Sequence, residues 1–257
     1  MSPKKSLAQA RAVAKASAPS GKAAAGKAAA GKAAAGKAVS PKAPAGRAGT
    51  PKSAPAHEAP ADKPRVRDRI LETAGELFYS RGIHCVGVDS IASEAGTNKM
   101  SLYRNFPSKE ELVAEYLREQ EREYWAVWDA TIEPFEGNPR RQLEALFDGF
   151  LTRAKSKEAD VDDCKVRRGC ALGNAAVEIP EDDENLRAIV LGYKSELRRR
   201  LRKLSKDAGA SEPDALGDAL MLLAEGGCYT LSTFPGTSGP IASMAKAARA
   251  LISIHLP

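Results

Sequence analysis

The stretch Val88-Asp89-Ser90-Ile91-Ala92-Ser93-Glu94-Ala95-Gly96-Thr97-Asn98-Lys99-Met100-Ser101-Leu102-Tyr103-Arg104-Asn105-Phe106-Pro107-Ser108-Lys109-Glu110-Glu111-Leu112 reads as two short helices joined by a glycine turn. Ile91, Ala92 and Ala95 fall on one face of the first helix, and Gly96 ends it. Asn98 is a good N-cap for a second helix over 99–105, because its side-chain oxygen can accept from an otherwise unpaired N–H. Pro107 stops that helix, and Ser108-Lys109-Glu110-Glu111 is a capping box opening the next one. A tight turn between two short helices sets the second across the first, so that it can project into the major groove of DNA.

Reading upstream, Ile70, Leu71, Ala74, Leu77 and Phe78 recur at helical spacing and predict a helix over 65–81 with Gly82 as its stop. The three helices form a head. The segment 97–109 carries Lys99, Arg104 and Lys109 and no acid, yet the whole of 65–112 has 7 basic and 7 acidic residues. DNA binding by this head therefore depends on where charge is placed. Asp89 is expected to cap the second helix, with acceptance from a cytosine amine as the alternative. Leu102 and Phe106 are expected in the core. For Tyr103 the alternative to a surface role is a core aromatic.

Further upstream the composition changes. Residues 1–64 are almost wholly Ala, Lys, Gly, Pro and Ser, with a five-residue unit Gly-Lys-Ala-Ala-Ala repeating from Gly21. They hold a net charge of +10 against −4 for 65–257, so the overall +6 belongs to this tail. Glycine at every fifth position costs about 1 kcal/mol each time in a helix, and the period gives no continuous apolar face. The tail is expected to be disordered. It resembles the tails of linker histones and of some bacterial nucleoid-associated proteins, and suits a polycation lying along phosphates. A solubilising linker is the competing reading.

Downstream, the apolar pattern predicts helices over 108–132, 139–156, 164–179, 181–206, 212–234 and 238–256, with about nine helices in all and no alternating strand pattern. The class is all-α. The Arg198–Lys203 cluster reads as a solvated face at a helix C-terminus. Cys85, Cys164, Cys170 and Cys228 show no disulfide framework and no zinc spacing. They could form a thiol sensor, helped by Arg167 and Arg168 beside Cys170, or be inert core thiols. No apolar run approaches a membrane span, and no apolar core follows the N-terminal lysines as a secretory signal requires. No phosphate loop, nucleophile elbow or paired-carboxylate pattern appears. The expectation is a cytoplasmic protein that is not an enzyme and carries no cofactor or metal.

The pattern Ile70-Leu71-x-x-Ala74-x-x-Leu77-Phe78-x-x-x-Gly82, followed by Ile91-Ala92-x-x-Ala95-Gly96-x-x-x-x-x-Leu102-Tyr103-x-x-Phe106-x-x-Lys109-x-x-Leu112, resembles the tetracycline-repressor (TetR) family of bacterial transcription regulators. The resemblance runs over 65–125. It implies a homodimer whose heads (65–125) each read half of a palindrome in double-stranded DNA. It further implies that a helical domain (126–257) binds a small-molecule effector and dimerises, most often to repress. Carried over residue by residue, it places Lys99, Met100 and Ser101 at the bases and Tyr103 and Lys109 at phosphates, with Arg104 on the same helix. The chemistry fits: Lys99 can donate to guanine, Met100 can meet a thymine methyl, and Ser101 accepts several partners.

The small-residue stretch Arg168-Gly169-Cys170-Ala171-Leu172-Gly173-Asn174-Ala175-Ala176-Val177-Glu178 is similar to one common in a large group of these regulators. Its small side chains can let helices pack closely, with Glu178 at the surface, or can leave a cavity. If it lines a cavity instead, Cys170, Asn174 and Glu178 are the polar groups and Phe147, Phe150 and Tyr193 the apolar walls. The last two helices, with Ala224, Gly226, Gly227 and the Ala-rich 242–250, fit the family's dimer interface, with buried core as the competing reading for their Leu residues. The rival from another class is a nucleoid-associated, DNA-compacting protein in which the tail dominates.

Overall fold

The computed structural model describes residues 65–159, 168–234, 237 and 239–256. The tail 1–64 and Cys164, for which expectations are stated above, lie outside them. The described residues form nine α-helices and one short 3-10 turn, with no strand. The head comprises α1 (Val66–Arg81), α2 (Val88–Glu94) and α3 (Lys99–Asn105). A long α4 (Lys109–Ile132) leads through the turn Glu133–Phe135 to α5 (Pro139–Ala159), α6 (Ala171–Glu178), α7 (Glu184–Asp207), α8 (Pro213–Thr230) and α9 (Ile241–His255).

Helix boundaries follow local chemistry. Gly82 ends α1 at φ 91°, a conformation that favours glycine. Asn98 Oδ1 accepts from Ser101 N at 2.8 Å and Ser108 Oγ from Glu111 N at 3.1 Å, as the capping patterns predict. α7 starts at Glu184, three residues later than the apolar pattern predicts, because Asp183 Oδ1 accepts from Leu186 N at 3.0 Å. Pro213 opens α8 at a position where its missing N–H costs nothing.

One cap does not form as expected. α2 is preceded by Gly87 and has no side-chain cap. Asp89 lies inside the first turn, one residue beyond the start at Val88, and its carboxylate instead accepts from Lys99 Nζ at 3.2 Å. Lys99 across the turn offers a full charge, which a capping backbone N–H cannot match.

The core is one connected apolar cluster running from Ile70 in α1 to Leu256 after α9. α4 is its axis. Leu112, Val113, Tyr116 and Leu117 face the head, and Trp128 faces the body. α7 packs along α8, and α9 packs against both α8 and α5. At the α7–α8 crossing a Cβ on Gly217 would lie 2.7 Å from Arg202 Cα, so glycine there lets the two backbones approach.

At the same crossing the arginine cluster keeps Arg198, Arg199 and Lys203 exposed, as a solvated face would be, but pairs several of its arginines with neighbouring helices. Arg198 and Arg202 each make two hydrogen bonds of 2.6–2.8 Å to Asp218, and Arg202 also reaches Asp214 at 2.8 Å. The two guanidiniums hold the Asp218 carboxyl well below the usual carboxylate range. Arg200 lies 4.1 Å from the centre of the Trp125 ring and pairs with Asp129 at 2.9 Å. These arginines join α7 to its neighbours, because aspartates one turn apart on α8 come within reach only once the helices pack.

Candidate nucleic-acid interface and effector cavity

The turn between α2 and α3 is fixed by its backbone. Gly96 takes φ 63°, and Thr97 N donates to Ala92 O at 2.9 Å. Leu102 and Phe106 are buried at 0% and 1% exposure, so α3 turns its other side outward. On that side Met100 is 68% and Tyr103 42% exposed, with Lys99 and Arg104 beside them. A two-turn helix thus holds two large side chains in solvent. Lys99 is held by Asp89, an exposed pair worth at most about 1 kcal/mol. Ser101 and Lys109 are half-buried at the starts of α3 and α4. Arg67 stacks 4.8 Å from the Phe106 ring centre, bracing the end of α3 from α1.

A cavity of about 260 Å³ lies in the body between α4, α5, α7 and α8 and the start of α6. Of the residues predicted for it, Phe147, Phe150 and Cys170 line it. Asn174, Glu178 and Tyr193 are not among its lining. Tyr193 is 1% exposed and packs edge-on to Tyr124 at 5.0 Å, where burial keeps its hydroxyl protonated far above the ordinary phenol range. Asn174 Nδ2 is buried without a hydrogen-bond partner. Glu178 accepts from Ile83 N at 2.5 Å and from Arg168 Nη2 at 2.8 Å. α6 is only two turns long, so Cys170 at its start and Glu178 at its end serve different surroundings.

The reading from sequence missed the α4 side of the cavity, where Gln120, Glu123, Tyr124, Val127, Trp128 and Thr131 lie. The signal was present: 120, 124, 127, 128 and 131 recur at helical spacing, beyond the part of α4 that packs on the head. Tyr79 was also missed. It follows the inward Phe78, lines the cavity, and donates to Gly169 O at 3.0 Å.

Tyr79 and Glu178 together tie head to body. Glu178 receives Ile83 N from the loop after α1, and His84 Nε2 lies 2.5 Å from Glu178 O. A Cβ on Gly82 would fall 3.0 Å from Arg168 and 3.1 Å from Glu178. The segment 168–170 thus touches the end of α1 on one side and the cavity on the other.

Among the described residues no cluster of three or more His, Cys, Asp or Glu could hold a metal ion, and no helix is long and apolar enough to cross a membrane.

Residues 70–116 match the bacterial regulatory protein domain of the tetR family. The chain is 30% identical over 164 residues to the uncharacterized HTH-type transcriptional regulator YxaF of Bacillus subtilis, covering 63% of this chain and 82% of that protein. It is 39% identical over 110 residues to the HTH-type transcriptional repressor KstR2 of Mycolicibacterium smegmatis, covering 41% of this chain and 51% of that one. The fold is similar to that of a TetR-family transcriptional regulator from Streptomyces coelicolor, with a TM-score of 0.61 at 24% identity over 73% of this chain and 92% of that chain. These likenesses agree with the helix-turn-helix head, the long connecting helix and the helical body: the chain belongs to the TetR family of DNA-binding transcriptional regulators.

Proposed function

We propose that the protein is a ligand-responsive repressor that binds a palindromic operator as a homodimer. The carrying observation is the outward face of α3, where Met100 and Tyr103 stand in solvent beside Lys99 and Arg104. In this reading Lys99, Met100 and Ser101 meet base edges, while Tyr103, Arg104 and Lys109 hold phosphates and set register. Lys99 gives up Asp89 for DNA at little cost, since an exposed pair is weak.

The functional division runs at 65–125 for the head and 126–257 for effector binding and dimerisation, with Tyr79, Gln120, Glu123 and Tyr124 of the head range completing the cavity wall. Leu222 and Tyr229 on α8, at 74% and 76% exposure, share a face with Gly226 and support a dimer surface there, with Ile254 of α9 at 77%. The cavity suits a small apolar effector. Its occupancy reaches the head through Gly169 and Tyr79 and through Arg168, Glu178 and Ile83, so that effector and operator affect each other's affinity reciprocally. The tail's +10 adds affinity for any DNA without changing the preferred sequence.

Selection of bound duplexes from a random pool by the full chain tests this. An inverted repeat, protected as a discrete footprint by a dimeric species, is expected. Uniform, length-dependent coating with no consensus would overturn the repressor reading in favour of a DNA-compacting protein.

A further inference from the structure

We propose that the body cavity is a covalent site, in which the Cys170 thiol adds to small neutral α,β-unsaturated ketones with Cys228 as a second thiol on the same wall. The inference rests on the reading of this cavity as the effector site, and adds the chemistry of the effector.

Cys170 and Cys228 both line the cavity, and both are thiols. They come from touching segments. Gly169, at φ 73°, lies so close to α8 that a Cβ there would fall 2.5 Å from Cys228 O. Two thiols are thereby brought to one compartment from distant parts of the sequence. The opposing walls are apolar and aromatic: Phe147 and Phe150, with ring centres 6.0 Å apart, and Leu146, Tyr124 and Trp128. At about 260 Å³ the space is at the small end of ligand sites, below the size of a drug-like molecule. The described lining has one carboxylate, Glu123, and no Lys or Arg, so it offers no counter-charge to an anionic effector. A small, neutral, partly aromatic molecule fits these walls, and the two sulfurs give an electrophile something to react with.

Cys170 is the attacking sulfur. Its Sγ accepts from Gly173 N at 3.4 Å at the start of α6, a contact that holds the sulfur in place on the cavity wall. The thiolate adds to the β-carbon, forming one C–S bond. The C=C π pair moves onto the carbonyl oxygen as an enolate, and the enolate α-carbon takes up the proton that the thiol gave to water. Nothing leaves and nothing is oxidised. Cys170 follows Gly169, whose carbonyl holds Tyr79, and Arg168, which holds Glu178. An adduct at Cys170 therefore acts on the segment that ties the body to α1.

The test treats the full chain with benzylideneacetone and follows each cysteine by peptide mass spectrometry, with exposed Cys85 as the internal reference. Cys170 is expected to gain the full mass of the ketone at least about tenfold faster than Cys85, because the cavity holds the reactants together. Benzylacetone, the saturated analogue, should slow labelling of Cys170 and leave Cys85 unchanged. Cys170→Ser, which retains a side-chain cap for α6, should lose the fast adduct and the ketone-induced release of DNA. Labelling of Cys170 no faster than Cys85, or no protection by benzylacetone, would overturn the site. A faster adduct on Cys228 would overturn the choice of attacking sulfur. Labelling is read without DNA, so its failure leaves the repressor reading standing. Failure to find an operator would equally leave the labelling result standing.

Discussion

Gly169→Ala should be one of the most damaging single-methyl changes available in this protein, and the structure gives its size. The residue has φ 73°, where a Cβ costs about 1–2 kcal/mol for an L-residue. The added carbon would also lie 2.5 Å from Cys228 O and 3.3 Å from Cys228 C, against backbone that no rotamer change can move. Overpacking of this kind costs about 1–3 kcal/mol more. The total is roughly 2–5 kcal/mol, and at about 2–4 °C per kcal/mol for a chain of this size the melting temperature should fall by roughly 4–20 °C. Gly192→Ala is the matched control. Gly192 is exposed within α7, with nothing within 4 Å of its added Cβ. Alanine there should stabilise by roughly 0.5–1 kcal/mol through helix propensity. Thermal unfolding followed by circular dichroism, at one protein concentration for all three proteins, reads both changes. A Gly169→Ala protein melting within about 2 °C of wild type would refute the close approach of this segment to α8, and with it the shared wall carrying Cys170 and Cys228.

Lys99→Ala should cost about 1–3 kcal/mol on the operator and relax preference at one base pair, whereas Tyr103→Phe should weaken operator and random duplexes alike; an unchanged selected consensus for Lys99→Ala would remove the base-contact assignment. Deleting residues 1–64 should flatten the log–log salt dependence of binding by about 4–5 units if half of the tail's charges meet phosphates, at about 0.9 per phosphate; superimposable slopes would make the tail a linker. Asp218 has its carboxyl lowered in the folded chain by Arg198 and Arg202. Its contribution is therefore present above the ordinary Asp value of about 3.9 and lost as pH falls below it. Asp218→Asn should be less stable than wild type near neutrality and converge with it in acid, as denaturant titrations across pH would show.

The head was legible in sequence because its determinants are local. Helical spacing from Ile70 to Phe78, caps at Asn98 and Ser108, and stops at Gly82 and Gly96 act within a few residues of themselves. Leu102 and Phe106 fell inward as their spacing required. Asp89 did not follow the local rule: its partner, Lys99, lies across a turn, and the choice between cap and ion pair depends on how two helices meet. The arginines of α7 show the same limit. Their sequence is that of a solvated helix end, and only the packing of α8 brings Asp214 and Asp218 within reach.

The cavity marks the boundary most clearly. Sequence supplied the composition of a small-residue segment and a set of aromatic candidates on other helices. It could not separate Phe147 and Phe150, which line the space, from Tyr193, which packs beside it, because a buried ring has the same pattern in either place. Glu178 belongs to the same short segment as Cys170, yet one residue ties the head and the other faces the cavity. The sequence by itself determined which residues form helices, which face of each is apolar, and that a helix-turn-helix opens the chain after residue 64, since those depend on short-range sterics and periodicity. The tertiary structure alone decided that Tyr79 meets Gly169, that Ile83 meets Glu178, and that Cys170 and Cys228 share a wall. Those contacts join residues far apart along the chain, and their geometry is set by how the helices cross.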